Sequence, residues 1–102
     1  MEYIQYPGSL KELDKFKDKK VYMIADKRSY DNFDNVNNFE IELFNGECSL
    51  KEIERISLYI NDFDVVIGFG GGKILDAAKA VAFFNKKYLI IIPTSASNGG
   101  GF

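Results

Sequence analysis

The feature that most constrains this chain is a group of four glycines within positions 68–72. A stretch of strand-forming residues, 63–67, leads directly into it. Three consecutive glycines, Gly70, Gly71 and Gly72, form a turn without Cβ atoms, so several backbone N–H groups can converge on one ligand. A helical sequence follows at once, and its first turn adds further N–H donors and the positive end of the helix dipole. The pattern predicts an anion site, with phosphate as the usual occupant.

Two charged residues lie close behind the glycines. Lys73 stands in the first turn of the predicted helix, 74–84, where a positive side chain is mildly unfavourable against the helix dipole unless an anion lies between them. We interpret Lys73 as a phosphate contact, the alternative being a solvated helix lysine. Asp76 follows in the first or second turn, where a carboxylate suits the dipole, and it faces either the ligand or the solvent.

Two well-known nucleotide-binding patterns do not fit this stretch. A G-x-G-x-x-G fingerprint starting at Gly68 would require glycine at Lys73, and the acidic residue expected about 20 positions later is missing. A P-loop would require glycine at Ile67 and a hydroxyl at Ile74. The sequence therefore argues against the standard dinucleotide fingerprint and against ATP hydrolysis.

Length and composition set further limits. The 102 residues predict a single domain, 1–102, and the net charge of -2 gives no electrostatic reason to expect nucleic acid or an anionic membrane as partner. The chain has no histidine and one cysteine, Cys48, which excludes imidazole catalysis, histidine metal ligands and an internal disulfide. Neither a signal peptide nor a membrane span is recognisable, so we expect a cytoplasmic protein.

Strand and helix patterns alternate along the chain. Five short runs predict strands: 2–6, 21–25, 39–44, 63–67 and 88–92. Capping boxes at Ser9–Glu12 and Ser49–Glu52 predict the starts of two helices, and the third follows the glycines. The fully apolar runs are typical of buried parallel strands, so the pattern predicts an α/β domain with a mostly parallel sheet of about five strands.

Three segments carry more specific expectations. Leu10, Leu13 and Phe16 form the apolar stripe of the first helix, and Leu50, Ile53, Ile56 and Ile60 form that of the second. The Asn- and Asp-rich segment 29–38 predicts a loop with at most one helical turn. It leaves barely enough residues for a parallel crossover.

Polar residues follow two other strands at the edge of the sheet where the glycines lie. Asp26 ends the strand 21–25, where its carboxylate could accept hydrogen bonds from ribose or adenine groups; the alternative is an ordinary charged residue at a strand end. The hydroxyl-rich loop 94–98 follows the last strand. Since ligands of open α/β sheets bind at the carboxyl ends of the strands, these segments form one predicted cleft.

Four segments, in order, resemble the N-terminal domain of glycerol dehydrogenase. They are IADK at 24–27, FNGECS with EIER between 44 and 55, DVVIGFGGGKILDAAKAVA at 64–82, and PTSAS at 93–97. That protein belongs to a superfamily of metal-dependent polyol dehydrogenases that includes iron-type alcohol dehydrogenases and glycerol-1-phosphate dehydrogenase. The resemblance covers most of the chain.

The resemblance implies a Rossmann-like, three-layer NAD-binding domain, normally followed by a helical domain that carries zinc or iron. It implies that NAD is held by the glycine turn together with contacts on both sides of it. The implied cofactor-binding residues are Asp26, Gly70, Gly71, Gly72, Lys73, Asp76, Thr94 and Ser97. Gly72 and Lys73 would meet the pyrophosphate, and Asp26 the adenosine part.

The chain also departs from the family pattern. Gly99 replaces an aspartate that contacts the substrate alcohol, and the metal ligands belong to the domain that these residues do not include. We therefore expect the NAD-binding portion of an oxidoreductase that transfers hydride between a polyol and NAD, inactive alone and without a zinc or iron site. A small polyol would be a partner only if the missing domain is present.

Other functions stay open at this point. The chain could be a stand-alone nucleotide-binding module or a truncated, non-catalytic remnant. Self-association, known in full-length relatives, is undecided for this chain. The expectation of NAD rather than NADP rests on Asp26, whose carboxylate would repel a 2′-phosphate if it faces the ribose.

Overall fold

The computed structural model describes residues 2–3, 10–31, 39–44 and 49–94. Five strands lie in this part of the chain: β1 (Glu2–Tyr3), β2 (Val21–Ala25), β3 (Glu40–Leu43), β4 (Val65–Gly70) and β5 (Tyr88–Pro93). Its helices are α1 (Lys27–Asp31), α2 (Leu50–Ser57) and α3 (Gly72–Asn85), with 3₁₀ helices at Leu10–Phe16 and Ile60–Asp62.

The five strands form one sheet in the order β1-β5-β4-β2-β3, and every neighbouring pair is parallel. In the middle of the sheet, Ile67 of β4 lies between Met23 of β2 and Ile90 of β5. This confirms the predicted α/β fold with a parallel sheet of about five strands. All carboxyl ends point to one edge, which places the residues that follow β2, β4 and β5 side by side.

Hydrophobic cores cover both faces of the sheet, which explains why β2 and β4 are buried throughout. On one face the strands pack against α2 and α3, and that core includes Ile24, Val66, Ile91 and Ala78. On the opposite face the core includes Leu13 and Phe16 of the first 3₁₀ helix, with Tyr30 of α1 packed against it. The result is a three-layer domain.

Helix α3 lies unusually close to β4 because small residues face each other there. A Cβ atom added at Gly68 would lie 2.6 Å from the Cβ of Ala78. The buried residues of the helix are Ile74, Ala77, Ala78, Val81 and Ala82. The close packing fixes the start of α3 relative to the end of β4.

Two boundaries around the glycines differ from the prediction. The strand was expected to end at Ile67, but β4 continues to Gly70, and α3 begins at Gly72 rather than at residue 74. The reason is that β4 pairs with β5 as far as Gly70 and Pro93, and backbone pairing does not require a side chain. Only Gly71 therefore lies between β4 and α3, so the turn is shorter than the run of three glycines.

The first two connections also differ from expectation. The helix predicted after Ser9 is a 3₁₀ helix that ends at Phe16, before the lysine-rich segment 17–20, and Ser9 itself lies outside the described residues. Leu13 and Phe16 are buried as predicted. The segment 29–38, predicted as loop with at most one helical turn, begins within α1, and residues 32–38 lie outside the described part.

The second predicted helix is confirmed with one error. Ser49 is its N-cap, and its Oγ accepts a hydrogen bond from the N–H of Glu52 at 3.3 Å. Ile53 and Ile56 are buried, but Leu50 is 66% exposed. At 3.6 residues per turn, Leu50 is rotated by roughly 60° from Ile53 and roughly 120° from Ile56, so it lies at the margin of the buried stripe.

Candidate functional site

Hydrogen bonds join three segments at the carboxyl edge of the sheet. The N–H of Thr94, which follows β5, donates to the carbonyl oxygen of Gly70 at 3.2 Å. The N–H of Gly71 donates to Oδ2 of Asp26, which follows β2, at 3.4 Å. The structure therefore brings together four of the predicted site residues, and the turn is fixed on both sides by its neighbours.

Asp26 connects this turn to the following helix. Its Oδ1 accepts a hydrogen bond from the N–H of Ser29 at 2.6 Å, which satisfies a donor at the start of α1. Its Oδ2 faces Gly71. The carboxylate is partly exposed, so it has a structural function at the strand end and also borders the cleft.

Gly70 can only be glycine in this arrangement. Its φ is 151°, in a region that side chains rarely adopt. A Cβ atom there would lie 2.6 Å from Oδ2 of Asp26 and 3.1 Å from Cγ1 of Ile74. Gly72 is different, because a Cβ atom added there would meet no atom within 4 Å. Gly72 therefore has free space beside its Cα, in the first turn of α3.

The start of α3 provides the donors of the site. Gly71 is the N-cap and has no side chain to accept hydrogen bonds from the first N–H groups, which also lack acceptors within the helix. The N–H of Leu75 is the first to bond back, to the carbonyl of Gly71 at 3.0 Å. The side chain of Lys73 is exposed in this first turn. Such a helix start is suited to bind an anion.

The remaining predicted residues are not part of this cluster. Asp76 is exposed and lines a groove of about 1040 Å³ that also contains Lys79 and Phe83 and extends to the start of β5. Ser97 lies outside the described residues, as do Cys48 and Gly99. Hydrogen bonds thus join Asp26 to Gly71 and Thr94 to Gly70. Gly72 and Lys73 follow Gly71 directly in the sequence.

A second polar cluster lies between β2, β3 and α2, and the sequence did not reveal it. The hydroxyl of Tyr22 donates to Oε1 of Glu42 at 2.9 Å, and Arg55 donates to Oε2 of Glu42 at 3.0 Å and to Glu52 at 2.9 Å. Burial and the bond to Glu42 raise the pKa of Tyr22. The hydrogen bonds to Glu42 and Glu52 raise the pKa of Arg55. The i,i+3 spacing of Glu52 and Arg55 was a visible signal, but the link to Tyr22 depends on strand register.

The described residues contain neither a cluster of metal-binding side chains nor a membrane-spanning helix. Within residues 2–3, 10–31, 39–44 and 49–94, no three His, Cys, Asp or Glu side chains lie close enough together to hold a metal ion. In the same part of the chain, no helix has the length and apolar character needed to cross a membrane.

Comparison with known proteins identifies the family. The family model described as iron-containing alcohol dehydrogenase matches residues 2–101, almost the whole sequence. The chain belongs to the iron-containing alcohol dehydrogenase family. The resemblance to glycerol dehydrogenase noted from the sequence is confirmed, since most of the similar proteins below carry that name.

Individual relatives match the chain over part of their length. A glycerol dehydrogenase of Thermotoga maritima is 58% identical over 57 residues, which is 55% of this chain and 16% of that protein. A glycerol-1-phosphate dehydrogenase (NAD(P)+) of Methanococcus maripaludis is 41% identical over 58 residues, 57% of this chain and 17% of that protein. The matching part thus spans about one sixth of these relatives.

The fold of a solved member agrees with this assignment. A probable glycerol dehydrogenase from Sinorhizobium meliloti 1021 superposes with a TM-score of 0.77 and 32% sequence identity, covering 94% of this chain and 29% of that one. A glycerol dehydrogenase from Schizosaccharomyces pombe gives a TM-score of 0.73 and 27% identity. The Rossmann-like fold implied by the resemblance is therefore confirmed.

Proposed function

We propose that this chain is the NAD-binding portion of a glycerol-dehydrogenase-like oxidoreductase, which transfers hydride between a polyol and NAD. One observation carries the proposal. At the carboxyl edge of a parallel sheet, the start of α3 follows a glycine turn that Asp26 and Thr94 hold in place through hydrogen bonds. Ligands of such sheets bind at this edge, and membership of the family supports a nicotinamide cofactor as the ligand.

The residues of the turn fit the pyrophosphate of NAD. The first N–H groups of α3 point away from the helix body, and the absence of a Cβ at Gly72 lets a phosphate approach the backbone closely. Lys73 adds a positive charge at the same end of the helix. When bound, NAD supplies the hydride acceptor, while the chain itself binds and orients it.

Asp26 would form the adenosine side of the site. Its two oxygens already accept backbone N–H groups, but each carboxylate oxygen has a second lone pair that a ribose hydroxyl can use. The same negative charge would repel the 2′-phosphate of NADP. Thr94, Ser97 and Asp76 complete the proposed set, with Thr94 already bonded to the turn.

The chain alone is proposed to be inactive. In the hydride transfer of metal-dependent dehydrogenases, a metal ion stabilises the alkoxide of the substrate, and the described residues provide no metal cluster. The polyol substrate and the zinc or iron ion would belong to the further polypeptide that the longer relatives possess.

Calorimetric titration of the purified chain with NAD⁺ and NADH tests the proposal. We expect saturable binding with one site, weakened about tenfold by Lys73→Ala, since a charge-assisted contact with phosphate is lost. Lys79→Ala is the matched control. Lys79 is an exposed lysine of the same helix, but it lies beyond the first turn and lines the groove of about 1040 Å³ described above. It should leave binding unchanged.

Two further measurements complete the test. NADP⁺ should bind more weakly than NAD⁺, and Asp26→Asn should reduce that difference. Glycerol, NAD⁺ and zinc or iron together should give no sustained NADH formation. A folded chain that binds neither NAD⁺ nor NADH would contradict the proposal and favour a remnant that has kept only the fold.

A further inference from the structure

Two adjoining cavities lie at the edge of the sheet opposite the glycine turn. One has a volume of about 360 Å³ and is lined by the first residues of β2 and β3 and by the end of the α2 segment. The other, of about 340 Å³, is lined by the lysine-rich segment that precedes β2. Glu40 and Phe63 line both cavities, so the two form one groove. We name it the amino-edge groove, because it lies where the strands begin.

Three exposed lysines line one end of the groove. They are Lys17, Lys19 and Lys20. Backbone hydrogen bonds hold this segment in place: the N–H of Lys19 donates to the carbonyl of Phe16 at 2.8 Å, and the carbonyl of Lys20 accepts from the N–H of Asp64 at 2.8 Å. In the described part of the chain, none of the three lysines is in an ion pair. This end of the groove therefore attracts a group with more than one negative charge, such as a phosphate.

Aromatic rings line the part of the groove next to the lysines. Phe63 belongs to both cavities, and its ring is in edge-to-face contact with that of Tyr22, with centroids 5.1 Å apart. Tyr59 lines the same part and is 58% exposed. These rings offer a surface on which a planar heterocycle can stack.

Glu40 supplies a hydrogen-bond acceptor beside these rings. It is the register partner of Tyr22 in the pairing of β2 with β3, so the two side chains lie on the same face of the sheet. Glu42 already accepts hydrogen bonds from Tyr22 and Arg55. The exposed carboxylate of Glu40, in contrast, is in no ion pair within the described residues. It can therefore accept an N–H group of a ligand.

The lining of the groove defines the ligand by three features. The ligand needs a multiply charged anion for the lysines, a planar ring for the aromatic side chains, and an N–H donor on that ring for Glu40. A simple organic cation would be repelled by the three lysines, and a simple anion would not use the rings. A nucleoside monophosphate whose base carries an amino group has all three features. Each cavity is also within the size range of small-molecule sites, about 300–1,000 Å³.

We propose that the amino-edge groove is a binding site for a nucleoside monophosphate with an amino-substituted base. The phosphate lies against the three lysines, the base packs against Phe63 and Tyr59, and its amino group donates to Glu40. Strand β4 runs from Val65 at this edge of the sheet to Gly70 at the glycine turn, so the groove is separate from the proposed NAD site. This inference is therefore independent of the proposed function.

Calorimetric titration of the chain with AMP tests the proposal, and we expect saturable binding. IMP, in which a carbonyl oxygen replaces the amino group, should bind about tenfold more weakly, because that oxygen would face the carboxylate of Glu40. Adenosine and inorganic phosphate should each bind at least about tenfold more weakly than AMP, since each lacks the phosphate or the base. Glu40→Gln should bind AMP and IMP about equally, because an amide can accept a hydrogen bond from the one and donate to the other.

Lysine variants show where AMP binds, since AMP is also part of NAD and could occupy the glycine turn instead. Lys19→Glu should weaken AMP binding at least about tenfold, because it places a negative charge beside the phosphate, whereas Lys73→Ala should leave the groove site intact. Lys51→Glu is the matched control: Lys51 is an exposed lysine of α2 that lines neither cavity, and its reversal makes the same change in net charge. It should leave AMP binding unchanged. If circular dichroism shows that Lys19→Glu does not fold, Lys17→Glu takes its place.

Any of four results would overturn the proposal. They are a folded chain that does not bind AMP, AMP binding that depends on Lys73 but not on Lys19, equal binding of AMP and IMP by the unmodified chain, and equal effects of Lys19→Glu and Lys51→Glu. The second result would place AMP at the proposed NAD site. The last would mean that AMP responds only to the overall charge of the chain.

Discussion

In the glycine turn, backbone groups make most of the contacts, whereas in the Tyr22–Glu42–Arg55 cluster every contact joins two side chains. The turn depends on residues that lack a Cβ and on N–H groups fixed by the ends of β4 and β5. The cluster depends on long side chains from β2, β3 and α2 that meet at the sheet surface. The turn should therefore not tolerate a side chain at Gly70, while the cluster should lose stability gradually.

Gly70→Ala should have the largest effect on stability. The added Cβ would lie 2.6 Å from Oδ2 of Asp26, and φ of 151° strains any other residue. Steric overlap and backbone strain together should lower the free energy of unfolding by about 3 kcal/mol. Urea denaturation would measure this loss.

Gly72→Ala is the matched control in the same turn. The new methyl group meets no atom within 4 Å, and alanine is the better helix former at the start of α3. The free energy of unfolding should stay the same or rise by up to about 1 kcal/mol. If both variants were equally destabilised, the steric explanation for Gly70 would be wrong.

The sequence was sufficient to predict the sheet and the place of the glycine turn between a strand and a helix. Continuous apolar runs marked β2 and β5, and the glycine spacing marked the turn, because both patterns are local properties of the chain. Asp26 was predicted as a residue of the cleft because it follows a strand directly. The direct bond between Asp26 and Gly71 could not be predicted, since it depends on how β2 and β4 align.

The remaining errors have separate physical causes. The end of β4 at Gly70 was missed because pairing with β5 extends the strand through residues of low strand propensity. Leu50 was wrongly assigned to the core because helical spacing alone does not define the width of the buried stripe. The Tyr22 cluster was missed because its members are far apart in sequence and meet only through the pairing of β2 with β3.

Glu42→Gln should have an intermediate effect. It removes the charge that both Tyr22 and Arg55 contact, but Arg55 keeps its bonds to Glu52. Because Arg55 is 40% exposed, solvent screens the ion pair, and the loss should be about 1 kcal/mol in the free energy of unfolding.

The exposed pair Lys27–Asp31 provides the comparison for this variant. Its side chains are 76% and 55% exposed at a separation of 3.0 Å. Asp31→Asn should change the free energy of unfolding by less than about 0.5 kcal/mol. An equal effect of the two substitutions, measured by the same denaturation, would remove the distinction between a partly buried cluster and a surface pair.

The smallest effect at neutral pH should come from the titration of Tyr22. Its pKa in the folded protein is raised by burial and by Glu42, so folding favours the protonated form. This contribution to stability is fully present below the unfolded pKa of about 10 and is lost as the pH rises towards the higher folded pKa.

Tyr22→Phe isolates this contribution from the other groups that titrate at high pH. Thermal melts from neutral pH to above the unfolded tyrosine pKa should show a steeper loss of stability for the unmodified chain than for the variant. Parallel curves would mean that the Tyr22 hydroxyl is no better protected from ionisation in the folded protein than in the unfolded one.

The position of β1 has a consequence for how the protein is made. Glu2 and Tyr3 pair with Ile90 and Ile91 of β5, at the other end of the described sequence. During synthesis, β1 leaves the ribosome before β5 but has no partner until β5 has been added. β1 is therefore translated before the strands of the sheet's centre but can take its place only after β5 has been made, so this edge of the sheet depends on a contact between residues far apart in the sequence.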